Sequence, residues 1–262
     1  MVGILEAVFL GALQGVTEWL PVSSSGHLAL AQSLLGLQAP LLFDTALHAG
    51  TLLAVLAFFW KDVLKMANAV LRLDFRSEYG RLAVMVVIGT LPVVLAGVML
   101  HDAVEALFGS PMAIGVSMML MGTLLYVTKF PRGERAVGAK DALFIGAAQA
   151  LSLVPGISRS GSTIAAGLSR HVERQKAFLF SFMLSIPAVV GANAYEVYMS
   201  SPSTIGGLGI ETAAAVAVSA LLGYAAIRAL KKIFDSGRFH MFAYYCWVAG
   251  AAVVAYAYLF LG

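Results

Sequence analysis

Residues 141–169 read DALFIGAAQALSLVPGISRSGSTIAAGLS, and the way this stretch meets a membrane decides the fold. It is apolar at both ends and broken in the middle by Pro155-Gly156 and Ser158-Arg159-Ser160-Gly161. A helix needs roughly 20 apolar residues to cross a bilayer, so the stretch is too short for two crossings and a turn. Its flanks are basic, with Lys129, Arg132, Arg135 and Lys140 before it and Arg170, Arg174 and Lys176 after it. Positive loops stay cytoplasmic, so the chain must enter and leave on the same side. A re-entrant helix–loop–helix satisfies both conditions.

The composition supports a membrane reading. The 262 residues are 60% hydrophobic and 12% charged, whereas soluble domains are about a quarter charged. The apolar stretches are continuous, which excludes the short alternating segments of a barrel. Of the 17 Lys and Arg residues, 16 fall in four clusters. The two besides those above are Lys61, Lys65, Arg72, Arg76 and Arg81, and Arg228, Lys231, Lys232 and Arg238. Placing all four inside puts spans at about 43–60, 82–100, 111–128, 177–196, 211–228 and 239–261. Residues 1–36, broken at Pro21 and the serines, form a second re-entrant hairpin entering from outside. The predicted fold is an all-α integral membrane protein: six full transmembrane helices plus two re-entrant hairpins, ten helical segments, with both termini outside. The net charge of +3 is then a topology signal rather than a nucleic-acid patch. The start lacks a signal-peptide pattern and reads as part of the fold. The single cysteine, Cys246, has no internal disulfide partner.

Sliding the chain by 135 residues aligns GALQGVTEWLPVSSSGH (11–27) with GAAQALSLVPGISRSGS (146–162). Gln14 falls on Gln149, Ser23 on Ser158, Ser25 on Ser160 and Gly26 on Gly161. Each repeat, about 1–128 and 141–262, is one hairpin plus three crossings, joined by the basic loop 129–140. Three is odd, so the repeats have opposite orientation, and in such folds broken helices meet near the midplane to form the site. Half-helices starting near Gly26 and Gly161, capped by Ser24, Ser25 or Ser160, would turn their N-termini inward as an anion site. Two facing N-termini suit a diphosphate.

Ionisable residues at membrane depth cost about 2.5–3.5 kcal/mol each even on lenient scales and need a partner or a task. Arg159 is the only basic residue outside the loops; it reads as a bidentate phosphate clamp or as the partner of Glu18 or Asp44. Glu18 reads as a metal ligand or base, or as that same partner. His27 directly follows SSSG and reads as base, acid or nucleophile, or as a hydrogen-bonded structural residue. Ser24 is an attacking hydroxyl or a cap. Thr163 gives a hydroxyl to the anion or caps its half-helix. Asp44 and His48 share a helical face; a helix-start cap and a buried hydrogen bond are their expected roles. The Met- and Phe-rich runs SMMLMG and AFLFSFML read as packing or lipid-facing surface.

The motifs QGVTEWLPVSSSGH (14–27) and PGISRSGST (155–163), with FDTALHAGTLLAV (43–55), resemble those of the undecaprenyl-diphosphate phosphatase family associated with bacitracin resistance. The likeness extends over essentially the whole chain. It implies hydrolysis of a C55-isoprenyl diphosphate to the monophosphate, recycling the cell-wall lipid carrier at the bacterial inner membrane, with the site facing outside. The substrate and membrane lipids are then the partners, with room for a homodimer. By position, Gln14, Glu18, Ser24, His27, Ser158, Arg159 and Thr163 carry over. A divalent cation, Mg²⁺ or Ca²⁺, is implied on Glu18 and Gln14; Gln14 stands where many members have Glu, which leaves Glu18 the main anionic ligand. The phosphate-binding set is Ser158, Arg159, Ser160 and Thr163, joined by Ser25 and Gly26. Catalysis falls to Glu18, His27, Ser24 and Arg159, with Ser24, His27 or water as nucleophile. An inverted repeat with broken helices is also a transporter architecture, so a carrier or flippase for an anionic lipid or solute is the rival reading. The other membrane lipid-phosphatase superfamily is set aside, because neither K-x6-RP nor a histidine at the required spacing after Ser158-Arg159 is present.

Overall fold

The structure, a computed structural model, describes residues 3–37, 39–129, 133–201 and 209–260. Arg132 of the second basic cluster lies outside them. Twelve α-helices form among the described residues. In chain order they are α1 Ile4–Trp19, α2 Ser24–Leu35, α3 Leu41–Phe58, α4 Trp60–Leu71, α5 Glu78–Met99 and α6 His101–Phe108. They continue with α7 Pro111–Val127, α8 Ala139–Leu151, α9 Arg159–Ser169, α10 Arg174–Met199, α11 Ile210–Asp235 and α12 Phe242–Phe260, the last entered through a 3₁₀ turn, Phe239–Met241. Five helices are long and apolar enough to cross a membrane, α3, α5, α10, α11 and the 239–260 segment; α6 and α7, bent by 98°, make a sixth if taken as one span. Apolar side chains cover the outside, including Leu95, Leu221 and Val248. A contiguous apolar exterior is stable against lipid rather than water.

Two helices, α4 and α6, exceed the ten segments expected. Span 43–60 stops at Phe58 because the next turn carries Lys61, Asp62 and Lys65, and only Ala69 of α4 is buried. The helix is therefore largely exposed and set off from α3 by the break at Phe59. Span 211–228 runs on to Asp235, since its basic residues continue the helix beyond the apolar part, where Lys231 pairs with Asp235 at 2.6 Å.

The four helices flanking the two breaks are short, with 16, 12, 13 and 11 residues for α1, α2, α8 and α9. All fall below crossing length. The open ends of the α8–α9 hairpin are tied together. Asp141 takes both Arg135 nitrogens, at 2.7 and 3.0 Å, and Arg170 Nε at 3.0 Å. Glu173 N–H donates to Arg135 O at 2.9 Å, so the second and third basic clusters meet. Arg174 donates to Phe234 O at 2.5 Å and Gln175 to Asp235 at 2.9 Å, which brings in the end of α11 and the fourth cluster.

Packing follows the 135-residue offset. α1 lies along α11 and its counterpart α8 lies along α5; α3 packs on its counterpart α10, and α7 on its counterpart α12. The close contacts rest on small residues. A Cβ on Gly11 would strike the Ala215 carbonyl, and one on the aligned Gly146 would strike the Gly89 carbonyl. Without water to drive association, such close backbone approach is what holds membrane helices together.

The main core is aromatic. Trp19 stacks on Phe182 at 5.0 Å, while Phe182 meets Phe178 at 4.7 Å and Phe178 meets Phe234 at 4.9 Å with tilted rings. The AFLFSFML run is thus packing surface, with Phe178, Phe180 and Phe182 all buried. This column fixes Trp19, the last residue of α1, from below. The second break depends on Gly156, whose φ of +100° is open only to glycine and whose Cβ would lie 2.5 Å from Ile114 O. Gly156→Ala is expected to cost roughly 2–5 kcal/mol through strain and overpacking, read as a lower unfolding temperature in detergent.

Candidate active site between the two helix breaks

The two break loops dock into each other. Ser23 Oγ caps α2 through Gly26 N–H at 3.3 Å and also accepts Gly156 N–H from the opposite break at 3.0 Å. Ser158 Oγ caps α9 through Gly161 N–H at 3.2 Å, and Ser160 Oγ donates to Trp19 O at 3.0 Å. Both helices therefore begin two residues earlier than expected, with Ser23 and Ser158 as caps rather than Ser24, Ser25 or Ser160. The caps consume the N–H groups of Gly26 and Gly161. An N-cap side chain reaches the third residue of its helix, and both glycines sit there. Ser23 holds a φ of +69°, a left-handed conformation that side chains rarely adopt and that concentrates at functional sites.

Glu18 sits at the last turn of α1, 7% exposed, and collects polar groups from four elements. Its Oε1 accepts from Arg159 Nη2 at the start of α9. Its Oε2 accepts from Ser24 Oγ at 2.6 Å and Gln14 Nε2 at 3.0 Å, and lies 3.3 Å from His48 Nδ1 on α3. The ion pair between the two helix breaks is thus formed. The Arg159 guanidinium lies over the Trp19 ring, 4.9 Å from its centroid. Its Nη1 is buried with no hydrogen-bond partner. A guanidinium presents five donors in a fork, and here one arm is engaged while the other is held dry and free. Of the first-turn N–H groups of α2 and α9, those of Ser24, Ser25, Arg159 and Ser160 remain outside the caps and lack partners within their own helices.

Not every sequence candidate joins this cluster. Thr163 is fully buried and turned away, bonding Arg159 O at 2.7 Å and Ser181 Oγ at 2.5 Å. Ser160 and Ser158 spend their hydroxyls on the break itself, and Ser25 Oγ lies 3.3 Å from Ser23 Oγ. His27 faces another way. Its Nδ1 lies 2.7 Å from Ser23 O and its Nε2 lies 2.7 Å from Tyr245 OH on α12. A carbonyl only accepts, so the proton is on Nδ1, and neither nitrogen touches Ser24 or Glu18. Asp44 caps nothing: α3 begins three residues earlier, and both carboxylate oxygens take the Gln32 amide, at 2.8 and 2.9 Å.

The sequence reading missed His48 as a neighbour of Glu18, Tyr245 as the partner of His27, and Trp19 as the floor under Arg159. A histidine inside an apolar 18-residue helix was the one available signal for the first. The others come from helices far away in the chain. Among the described residues no group of three or more His, Cys, Asp or Glu side chains is placed to hold a metal. The oxygens that converge are those of Glu18 and Ser24, with Gln14 Oε1 buried and without a partner beside them.

The two helix breaks of this all-helical membrane protein join a carboxylate, a serine and an arginine with one arm free in a single buried cluster. Comparison with known proteins narrows the class. Residues 7–252 match the family described as bacitracin resistance protein BacA, and the chain belongs to that family. It is 41% identical to an undecaprenyl-diphosphatase of Desulforapulum autotrophicum over 94% of this chain and 96% of the relative. It is 39% identical to one of Korarchaeum cryptofilum over 96% and 98%, and 36% identical to one of Methanosphaera stadtmanae over 97% and 98%.

Proposed function

We propose that the chain hydrolyses undecaprenyl diphosphate to undecaprenyl phosphate and inorganic phosphate, recycling the cell-wall lipid carrier and conferring resistance to bacitracin. The family and the full-length relatives support this reading. The observation that carries it is the contact between Glu18 and Arg159, with Ser24 on the same carboxylate and one guanidinium arm free.

The isoprenyl tail stays in the bilayer and the diphosphate enters between the breaks. The free arm of Arg159 and the uncapped first-turn N–H groups, those of Ser24, Ser25, Arg159 and Ser160, bind phosphate oxygens and the charge that grows on them in the transition state. Glu18 accepts the proton of Ser24 as its Oγ attacks the terminal phosphorus. The bond from that phosphorus to the bridging oxygen breaks, leaving the lipid monophosphate. Water then releases phosphate from Ser24 and restores its hydroxyl. His27, with its proton held on Nδ1 by Ser23 O, offers the Nε2 lone pair as a proton acceptor at the rim. The oxygens of Glu18, Ser24 and Gln14 suit a hard cation such as Mg²⁺ or Ca²⁺, which when bound would neutralise charge on the phosphate oxygens.

The membrane arrangement is part of the same reading. The short helix pairs α1–α2 and α8–α9 act as re-entrant hairpins within an inverted repeat, six crossings complete the fold, and the basic ends face the cytoplasm. The crosswise packing of α1 on α11 and α8 on α5 supports it, as do the joined ends at Asp141. Both termini and the site then face outward.

Purified protein in detergent, with no gradient, is expected to release phosphate from undecaprenyl diphosphate and to lose that activity in EDTA, regaining it with Mg²⁺ or Ca²⁺. A carrier or flippase would release none. Activity that EDTA leaves intact would remove the cation from the scheme.

A further inference from the structure

His48 takes no part in the scheme above, yet it stands where a ligand would. Gln14 Nε2 lies 2.9 Å from His48 Nδ1 and 3.0 Å from Glu18 Oε2, and those two acceptors are 3.3 Å apart. An amide nitrogen only donates, so Nδ1 is bare and the ring proton sits on Nε2. A proton on Nδ1 would set two donors 2.9 Å apart. A reversed amide would press Gln14 Oε1 against the carboxylate. One NH₂ group therefore sits between two lone-pair atoms that converge on it.

Two atoms bound to one cation at about 2.0–2.2 Å lie about 3.0–3.5 Å from each other, which is the separation seen here. Gln14 is fully buried and its Oε1 has no partner. Half a turn of its amide exchanges nitrogen for oxygen and brings that oxygen to the same point. Glu18 and Arg159 cancel in charge, while Asp44, one turn before His48, is occupied by Gln32. A dication here needs charge from phosphate oxygens as well.

We propose that the cation site of this chain includes a nitrogen: His48 Nδ1 joins Glu18 and Gln14, and the site prefers first-row transition-metal ions, Mn²⁺ included, over Ca²⁺. Imidazole suits Zn²⁺, Cu²⁺, Fe²⁺ and Ni²⁺ best and all-oxygen sets suit Mg²⁺ and Ca²⁺; Mn²⁺ is the weakest of the first-row series and so the most demanding probe of a nitrogen ligand. The inference rests on the phosphatase reading for its location and deepens it by naming the metal class.

The test uses full-length protein in detergent, with Mn²⁺ as probe and methylenediphosphonate as a diphosphate that cannot be hydrolysed. Bound Mn²⁺ is expected to show the electron-spin-echo modulation of a coordinated imidazole ¹⁴N, tighter binding when the diphosphonate is present, and slow displacement by Ca²⁺. His48→Gln is expected to lose the modulation and to bind Mn²⁺ at least about tenfold more weakly. Labelling wild-type histidines with ¹⁵N must change the modulation, a readout that does not depend on the variant folding. Mn²⁺ bound without nitrogen modulation, unchanged affinity in His48→Gln, or no Mn²⁺ binding by wild type overturns the proposal. Phosphate release on the same preparations keeps the two readings apart. Release without a nitrogen signal sinks only the His48 ligand, and a nitrogen signal without release sinks only the phosphatase.

Discussion

Arg159→Lys is expected to release phosphate roughly 100- to 1000-fold more slowly than wild type, the usual cost of one transition-state donor. Charge is preserved in this variant, so the loss isolates geometry. Lysine offers one point of donation on a flexible stem, and Glu18 will hold it. The arm that is free in Arg159, Nη1, has no equivalent. Stacking on Trp19 at 4.9 Å keeps the guanidinium plane fixed, and an ammonium lacks that plane. Turnover within about tenfold of wild type would mean that the phosphate is held elsewhere and that the Glu18–Arg159 contact only closes the fold.

Glu18→Ala is expected to abolish phosphate release and also to cost about 3–5 kcal/mol of stability, because it leaves a buried guanidinium without its counter-charge. The two effects separate in a double variant. Glu18→Ala with Arg159→Met removes both charges and should restore most of the unfolding temperature, since a buried pair replaced by apolar groups is often near neutral. Activity should stay absent. Recovery of phosphate release in the double variant would take both residues out of the chemistry. A double variant as unstable as Glu18→Ala alone would show that Ser24, Gln14 and His48, which share the same carboxylate, dominate its structural role.

Much of the architecture was written in the chain. Composition and continuous apolar runs determined a helical membrane protein, because lipid leaves a backbone no option but to satisfy itself. The breaks at Pro21 and at Pro155-Gly156 were legible as punctuation, and the 135-residue offset paired Ser23 with Ser158, which proved to be the two caps. Glu18 and Arg159 stood out because charge inside an apolar run is costly. Tertiary structure alone decided which groups those residues meet. Whether a serine hydroxyl faces an anion or the opposite loop depends on the docking of two breaks more than a hundred residues apart, as Ser160 on Trp19 O and Ser23 on Gly156 N–H illustrate. The same docking sent Thr163 to Ser181, His27 to Tyr245 and His48 to Glu18. Periodicity and spacing place a residue along its own helix. Side-chain partners are set by which helices pack together and at what rotation, and a contact between α3 and α1 or between α2 and α12 leaves no local trace in the sequence of either.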